Sequence, residues 1–527
     1  MPAMSYCPTN SSSMSPLELQ AQCTPDGIAY RLIPSNRTVT WSELELRSRK
    51  LAAAMHAAGL RPGDGIALML ENHLRYFEVL WAAQRSGLYY TPISRHLKMD
   101  ELVYIVRDCG AKMLFCSDQT LADLDAQSLR ALPAQCVLLD APKREGFADY
   151  EALLATQSDD VVIDQNIQGL DFCYSSGTTG LPKGIKRPLA EAGKHFAGKG
   201  DARTHWKDFD DKSVYLSTAP FYHTAPVRWN MAVMRAGGQC VMMEKFDAEL
   251  ALEAIERFRV THSQWVPTMF IRLLRLPDAV KARYDLSSMH YAIHAAAPCP
   301  AAVKEQMIDW WGPILYEFYS GTELVGRTSL DSHEWLSHKG SVGRAEIGTV
   351  HIVDAMGREL GAGEDGVVYF SGGPRFEYHH DPEKTAEAYN DRGWATYGDI
   401  GHLDSEGYLY LTDRLANTIV SGGVNIYPQE AENILQGHPA VADVAVIGVP
   451  NEDFGEEVKA VVQLQTPYQG DAQLEAELVA YCRERISSIK CPRSVDFVQT
   501  LPRAESGKLL KRLVKAQYWD SAQRIAH

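Results

Sequence analysis

The stretch from Asp171 to Arg187, DFCYSSGTTGLPKGIKR, constrains this chain more than any other. Asp171 to Tyr174 read as the end of a buried strand. A run of hydroxyls and glycines follows. Gly177 and Gly180 let the backbone turn tightly and approach a ligand closely. Ser175, Ser176, Thr178 and Thr179 can donate hydrogen bonds to phosphate oxygens, as can the loop amides. Lys183 adds a point charge for the same oxygens. The stretch therefore reads as a polyphosphate cradle. It differs from the loop in which Gly-Lys precedes Ser or Thr, because Lys183 follows Pro182 and precedes Gly184.

The chain has 527 residues, too many for one hydrophobic core, so about three or four compact units are expected. Its net charge of −15 argues against a nucleic-acid partner, since a phosphate backbone needs a basic face. Local positive charge can still hold a nucleotide. The ten cysteines form no C-x-x-C pair, and several sit in apolar runs. Reduced, buried thiols and a cytoplasmic location are expected. Residues 1–20 lack both a basic start and an apolar centre, so they read as a loose arm and not a signal peptide. No run approaches the ~20 apolar residues of a membrane span, so no stable membrane insertion is expected.

Strand and helix signals alternate along the chain. Thr40 to Leu44 opens a helix, with Ser42 or Thr40 as its cap. Gly65–Asn72 reads as a buried strand, Tyr76–Ser86 as a helix and Gly87–Ile93 as a strand. Glu101–Asp108 reads as a helix and Lys112–Ser117 as a strand. Val214–Thr218, Gln239–Lys245, Thr261–Val266, His290–Ala295 and Ile314–Tyr319 are short apolar runs, and Ala248–Arg257 has the helical period. This alternation means parallel sheet in α/β layers. Gly343–Phe370 has the shorter spacing of a small antiparallel, barrel-like unit. After a polar joint at Asp413–Asn417 come a Gly-rich turn at 421–423, a helix near Pro428–Leu435 and strands at Asp443–Ile447 and Lys459–Gln463. Leu474, Leu478, Tyr481 and Ile486 then fall near one face of a further helix. Only a short tail is expected after Lys511. The expected fold is a large N-terminal domain (1–414) of layered α/β sheets with a barrel-like unit, then a small mobile α+β domain (415–527).

Further strings fall between these elements: Pro220-Phe221-Tyr222-His223, Ala295-Ala296-Ala297-Pro298, Tyr316 to Glu323 (YEFYSGTE), Gly393 to Asp399 (GWATYGD), Asp413-Arg414, Ser421 to Pro428 (SGGVNIYP) and Leu501 to Lys508 (LPRAESGK). Taken singly, each has an ordinary reading. His223 is a hydrogen-bonded histidine after a strand, Gly398-Asp399 a common turn, and Lys508 a solvated charge. In this order, from about Thr40 to Lys511, they resemble the AMP-forming adenylating enzymes: acyl-CoA synthetases, peptide-synthetase adenylation domains and luciferases.

The resemblance implies a role for each string. Ser175, Ser176, Gly177, Thr178, Thr179, Gly180 and Lys183 would cradle the phosphates of ATP. Ala296, Ala297, Glu317, Phe318 and Tyr319 would lie at adenine. Thr322 would contact the α-phosphate and Glu323 would hold Mg²⁺. Asp399 would accept the ribose hydroxyls, and Arg414 would reach ribose or phosphate. Ser421, Gly422 and Gly423 would line the tunnel for the thiol arm of coenzyme A. Lys508 would meet the carboxylate and α-phosphate oxygens. Tyr222, His223, Ala225, Arg228, Trp229, Ala295, Ser320 and Gly321 would shape the acyl pocket, with Arg228 either an internal salt bridge or a reader of a polar group on the acid.

Three positions depart from the family pattern. Ser320 stands for the usual glycine, Tyr397 for a threonine, and Ala416 for a charged hinge residue. The implied activity is AMP-forming ligation of a carboxylic acid to coenzyme A, the acid being bulky and hydrophobic, aryl, steroid-derived or fatty. The alternatives are an adenylating enzyme that loads a carrier protein, and a nucleotide-binding homologue without catalysis. A homodimer is the default assembly.

Overall fold

The structure, a computed structural model, describes residues 15–121, 126–140, 144–161, 167–175, 182–191, 209–421, 424–451, 453–503 and 509–525. The chain divides into two compact units. The first comprises Met1–Trp265, Met269–His294 and Arg375–Pro382. The second comprises Val266–Thr268, Ala295–Pro374 and Glu383–His527.

The first unit carries two parallel sheets. In one, the strands run in the order Tyr89–Pro92, Gly65–Met69, Ala111–Ser117, Gln135–Leu139 and Ala148–Asp149. All five residues of Gly65–Met69 are buried, as expected when helices cover both faces of a sheet. In the other, Tyr291–His294, His262–Trp265, Val214–Ser217, Gln239–Met243 and Ile28–Ile33 follow one another in parallel. Thr38–Thr40 closes that edge antiparallel to Ile28–Ile33. The α/β alternation read from the sequence is what folds.

Helix ends follow local capping chemistry. Thr40, not Ser42, caps the helix Trp41–Ala57: its Oγ1 accepts from the Glu43 amide at 3.2 Å. The helix Tyr76–Arg85 is buried all round, and its charges are paired. Glu78 receives Arg47 at 2.8 Å and Arg75 at 2.6 Å, and Arg85 meets Glu45 at 2.5 Å.

The second unit is mainly antiparallel. Leu315–Tyr319, Arg327–Asp331 and Arg344–Ile347 pair in that order. Thr349–Val353, Gly366–Ser371, Ala395–Leu403 and Leu409–Arg414 form a four-stranded antiparallel sheet, in line with the spacing of the 343–370 segment. A further sheet joins Val424–Ile426, Ile419–Ser421, Gly455–Leu464 and Val441–Asn451, and Ser494–Val498 runs parallel to Gly455–Leu464. The helices Pro428–Gln436 and Ala472–Arg483 cover it with Ala431, Leu435, Leu474, Leu478 and Cys482.

Three expectations need correction. Residues 16–20 are not a loose arm: they lie in the helix Pro16–Cys23, where Ser15 Oγ accepts from Glu18 N at 3.2 Å and Leu17 is buried. The helix Ala472–Arg483 ends before Ile486, and Tyr481 sits at its margin against His438, with ring centroids 4.9 Å apart. The chain after Lys511 is not a short tail but the helix Lys511–Ile525, anchored by buried Val514 and by Trp519 Nε1 donating to Gly448 O at 3.0 Å. Among the described residues, no helix is long and apolar enough to cross a membrane. Among the described residues, eight cysteines are free thiols, seven of them buried, whereas Cys23 is disulfide-bonded; burial pushes the Cys136 thiol up to about 11 and the Cys482 thiol to about 12.

Candidate functional site

The neck of the phosphate-loop stretch is an antiparallel hairpin. Cys173–Ser175 pairs with Lys183–Lys186, with Ser175 opposite Lys183 and Tyr174 opposite Gly184. Ser176, Gly177, Thr178, Thr179, Gly180 and Leu181, and the side chain of Ser175, lie outside the described residues. Lys183 thus opens the return strand. Its Nζ lies 5.2 Å from the centre of the Tyr378 ring, on the third strand of this small sheet. Gly184 is there because a side chain does not fit: a Cβ would come within 2.8 Å of the Phe172 ring and 3.0 Å of Tyr174.

The base of the hairpin is fixed electrostatically. Asp171 is buried, and two arginines converge on it. Arg187 Nη2 donates to Oδ1 at 2.9 Å, and Arg228 Nη2 to Oδ2 at 2.6 Å. The Arg228 guanidinium is therefore engaged by a carboxylate of its own unit. Trp229, next in the helix Thr224–Arg235, is also turned inward and packs edge-on against Phe209.

His223 stands at the N-cap of that helix and Tyr222 just before it, their rings 4.4 Å apart. Both lie partly open beside half-buried Ala225. The segment that presents them is held from a distance. Asn72 Oδ1 accepts from Phe221 N at 2.8 Å, Asn72 Nδ2 donates to Met243 O at 2.7 Å, and Tyr76 Oη donates to Phe221 O at 3.1 Å. Sequence reading did not single out Asn72 or Tyr76. A polar residue at the end of a buried apolar strand was the signal for Asn72.

In the second unit, Ala295 is buried, and Ala296 takes φ +77°, a left-handed backbone that costs a side-chain-bearing residue about 1–3 kcal/mol. The strand Leu315–Tyr319 carries the first half of the YEFYSGTE string. The Glu317 carboxylate receives Lys304 Nζ at 2.6 Å, and both residues are buried. Burial pushes the Glu317 carboxyl up from its ordinary range, and the Lys304 ammonium opposes that. Phe318 is half-buried. Tyr319 Oη donates to Asp399 Oδ2 at 2.5 Å, and Arg414 Nε lies 3.2 Å from Asp399 Oδ1. Burial, with Asp399 beside it, holds the Tyr319 hydroxyl well above its ordinary range, so it keeps its proton.

Thr322 and Glu323 follow on a turn in which Leu324 N donates to Gly321 O at 3.2 Å. Both side chains are half-buried. Tyr319, Asp399 and Arg414, distant in sequence, are thus in contact, and Thr322 and Glu323 follow directly on the same segment. At the joint, Asp413 accepts from Asn417 Nδ2 at 3.0 Å and from Gln429 N at 2.8 Å, and residues 415–417 form one short 3₁₀ turn that includes Ala416. Ser421 is buried and pairs with Val424 across the hairpin turn. Gly422, Gly423 and Lys508 lie outside the described residues.

The AMP-binding enzyme family matches residues 17–375, and the AMP-binding enzyme C-terminal domain matches residues 430–508. A feruloyl-CoA synthase of Amycolatopsis sp is 33% identical over 504 residues, covering 95% of this chain and 97% of that one. The fatty acid–[acyl-carrier-protein] ligase ScoC of Streptomyces coeruleorubidus is 31% identical over 504 residues, covering 93% of each. Among solved structures, ATP-bound MatB from Rhodopseudomonas palustris superposes with a TM-score of 0.81 at 27% identity, covering 96% of this chain and 100% of that one. With a family match over most of its length, and a buried Asp399 met by Tyr319 and Arg414, the chain belongs to the AMP-binding enzymes.

Proposed function

We propose that this enzyme is an AMP-forming carboxylic acid:coenzyme A ligase acting on a bulky hydrophobic, aryl, steroid-derived or fatty acid. The observation that carries the reading is the contact of Tyr319 and Arg414 with Asp399 in the unit that also presents Thr322 and Glu323. A buried carboxylate held in one orientation can accept both hydroxyls of a ribose. Relatives that act on feruloyl and fatty acyl groups support the acid class.

A free carboxylate acylates poorly because its leaving group would be oxide. Adenylation replaces that with AMP. A carboxylate oxygen attacks the α-phosphorus in line, and the bond to pyrophosphate breaks. A thiolate sulfur then attacks the acyl carbon, and AMP leaves with the bonding pair. Little covalent chemistry is asked of the protein, so charge placement carries the rate. Thr322 and Lys508 supply donors for the α-phosphate, Lys183 a point charge for the phosphate oxygens, and Asp399 with Arg414 orients the ribose. Glu323 is a half-buried, hard oxygen ligand one residue after Thr322, which fits Mg²⁺ with phosphate oxygens completing its shell. Bound there, Mg²⁺ would neutralise charge on the phosphates.

The C-terminal family match over 430–508 supports a mobile domain from about residue 415 that exchanges Lys508 for the 421–423 segment between the two steps. Coenzyme A is the favoured thiol. A carrier protein is the second reading, supported by the likeness to the acyl-carrier-protein ligase. The free thiols among the described residues support a cytoplasmic reading, although Cys23 is disulfide-bonded.

Mass-spectrometric product detection with ATP, Mg²⁺ and a panel of aryl, steroid-side-chain and fatty acids, each with and without coenzyme A, tests this. Acyl-CoA is the expected product for one class. Acyl-AMP without acyl-CoA would favour the carrier protein, and neither product from any acid would overturn the ligase reading.

A further inference from the structure

Two of the positions at which the sequence departs from its family, Ser320 and Tyr397, touch each other. Ser320 Oγ lies 3.2 Å from Tyr397 Oη and donates to Gly326 O at 2.8 Å. Tyr397 Oη also donates to Gly326 O at 2.8 Å and accepts from Gly326 N at 3.1 Å. The two hydroxyls thus grip both polar groups of one residue at the far end of the segment that carries Thr322 and Glu323.

The ring completes the grip. A Cβ on Gly321 would come within 2.4 Å of Tyr397 Cδ1 and Cε1, and within 2.6 Å of Glu323 Oε2. The ring therefore lies directly on the Gly321 backbone, in the space that a side chain would need. Tyr319 meets Tyr397 edge-on at 5.6 Å, and Phe370 flanks it at the same centroid distance. Tyr397 is also two residues from Asp399 on the strand Ala395–Leu403. One side chain thus links the Asp399 strand to both ends of the turn that presents Glu323.

We propose that Tyr397 is a positioning residue for Glu323, with Ser320 as its partner: it clamps the 320–326 segment so that the carboxylate is held ready for a metal-bound nucleotide. The proposal rests on the reading of Glu323 as the Mg²⁺ ligand. A smaller residue at position 397 would leave Gly326 N–H and Ser320 Oγ without the phenol that both now meet.

The test is calorimetric titration of the whole chain with ATP, with Mg²⁺ varied and again in excess EDTA. Tyr397→Phe keeps the ring and removes the grip on Gly326. It is expected to raise the Mg²⁺ concentration for half-maximal ATP binding about tenfold, with affinity for metal-free ATP unchanged. Ser320→Ala should move the same quantity less, and Tyr397→Phe/Ser320→Ala no further than Tyr397→Phe alone, because the two hydroxyls act on one backbone group. Weakening that is equal with and without Mg²⁺ would make Tyr397 a packing residue and overturn the proposal. An unchanged Mg²⁺ dependence in both single variants would also overturn it. ATP binding to the unaltered protein that ignores Mg²⁺ would instead remove the Glu323 reading beneath it.

Discussion

Arg228 sets its guanidinium against Asp171, with Nη2 at 2.6 Å and Nε at 3.2 Å from Oδ2 and Nε at 3.3 Å from Oδ1, the oxygen that also accepts from Arg187 Nη2 at 2.9 Å. One buried carboxylate thus gathers two cations and ties the start and the return of the phosphate-loop hairpin to the helix Thr224–Arg235. Removing the carboxylate strands charge in the interior, which costs about 3–5 kcal/mol. Asp171→Ala is expected to lose about that much in urea unfolding followed by tryptophan fluorescence. Arg228→Met should lose less, since Arg187 still neutralises Asp171. Equal losses would mean that Arg187 does not share the carboxylate.

Asp399 offers its two oxygens to Tyr319 and Arg414. If the ribose hydroxyls bind there, they join or displace these donors. Charge-assisted hydrogen bonds of this kind are worth about 1.5–3 kcal/mol. Asp399→Asn is therefore expected to raise the KM for ATP roughly tenfold to a hundredfold in pyrophosphate exchange, whereas Tyr319→Phe should change it only a few fold. An unaltered KM in Asp399→Asn would move the ribose elsewhere.

The buried pair beneath Tyr319 bears on stability, not chemistry. Lys304 reaches Glu317 at 2.6 Å and also lies 4.8 Å from the centre of the Trp335 ring. Lys304→Met leaves a buried carboxylate unpaired and should cost about 3–5 kcal/mol, while Lys304→Met/Glu317→Leu should restore most of it. Thermal melts of the two variants check this. A double variant no better than the single one would show that the pair, and not its shape, is needed.

Local patterns made much of this molecule legible. Continuous apolar runs marked Gly65–Met69 and Gln239–Met243, and the helical period of Ala248–Arg257 marked the helix Ala248–Phe258. The sequence order of the strings also pointed to Tyr319, Thr322, Glu323 and Asp399. What stayed hidden depends on distance along the chain. Asn72 reaches Phe221 across 149 positions, and Ser320 meets Tyr397 across 77, so no window of sequence contains either pair. The two departures were visible singly, and their contact was not. The first helix was within reach: Ser15, Pro16 and Glu18 form a standard N-terminal signal. The last helix was less so, because Val514 and Trp519 find their partners in strands far back in the chain.

We propose Lys508 for adenylation on its place in the Leu501–Lys508 string. Losing one preorganised donor at a developing negative charge typically costs about 10²–10³ in rate. Lys508→Gln, which also mimics the charge loss of acetylation, is expected to slow acyl-AMP formation by about that factor. Thioester formation from preformed acyl-AMP and coenzyme A should persist. Rapid-quench assays of the two half-reactions separate them, and an adenylation rate equal to that of the unaltered enzyme would remove both the catalytic assignment and any regulation through this lysine.

His379 gives the phosphate-loop hairpin a pH dependence of definite sign. Its amide donates to Gly184 O at 2.8 Å, its ring Nε2 lies 3.0 Å from Asp108 O, and the Phe172 ring meets it edge-on at 5.0 Å. Burial first, then the neighbouring His380 and Lys186, hold its pKa below the ordinary value, while Asp108 pulls the other way. An unfolded histidine titrates near ~6.5. Between that value and the lower folded one, the unfolded chain takes up a proton that the folded chain refuses. Stability must therefore fall as pH drops through this window and level off below it. His380 faces Asp108 as well, at 3.3 Å, and is largely exposed. The melting temperature of the unaltered protein is accordingly expected to decline from pH 7.5 downward more steeply than that of His379→Gln. The difference should persist in His380→Gln, where the second imidazole is gone. Parallel profiles for the unaltered protein and His379→Gln would show that His379 takes its proton as readily folded as unfolded.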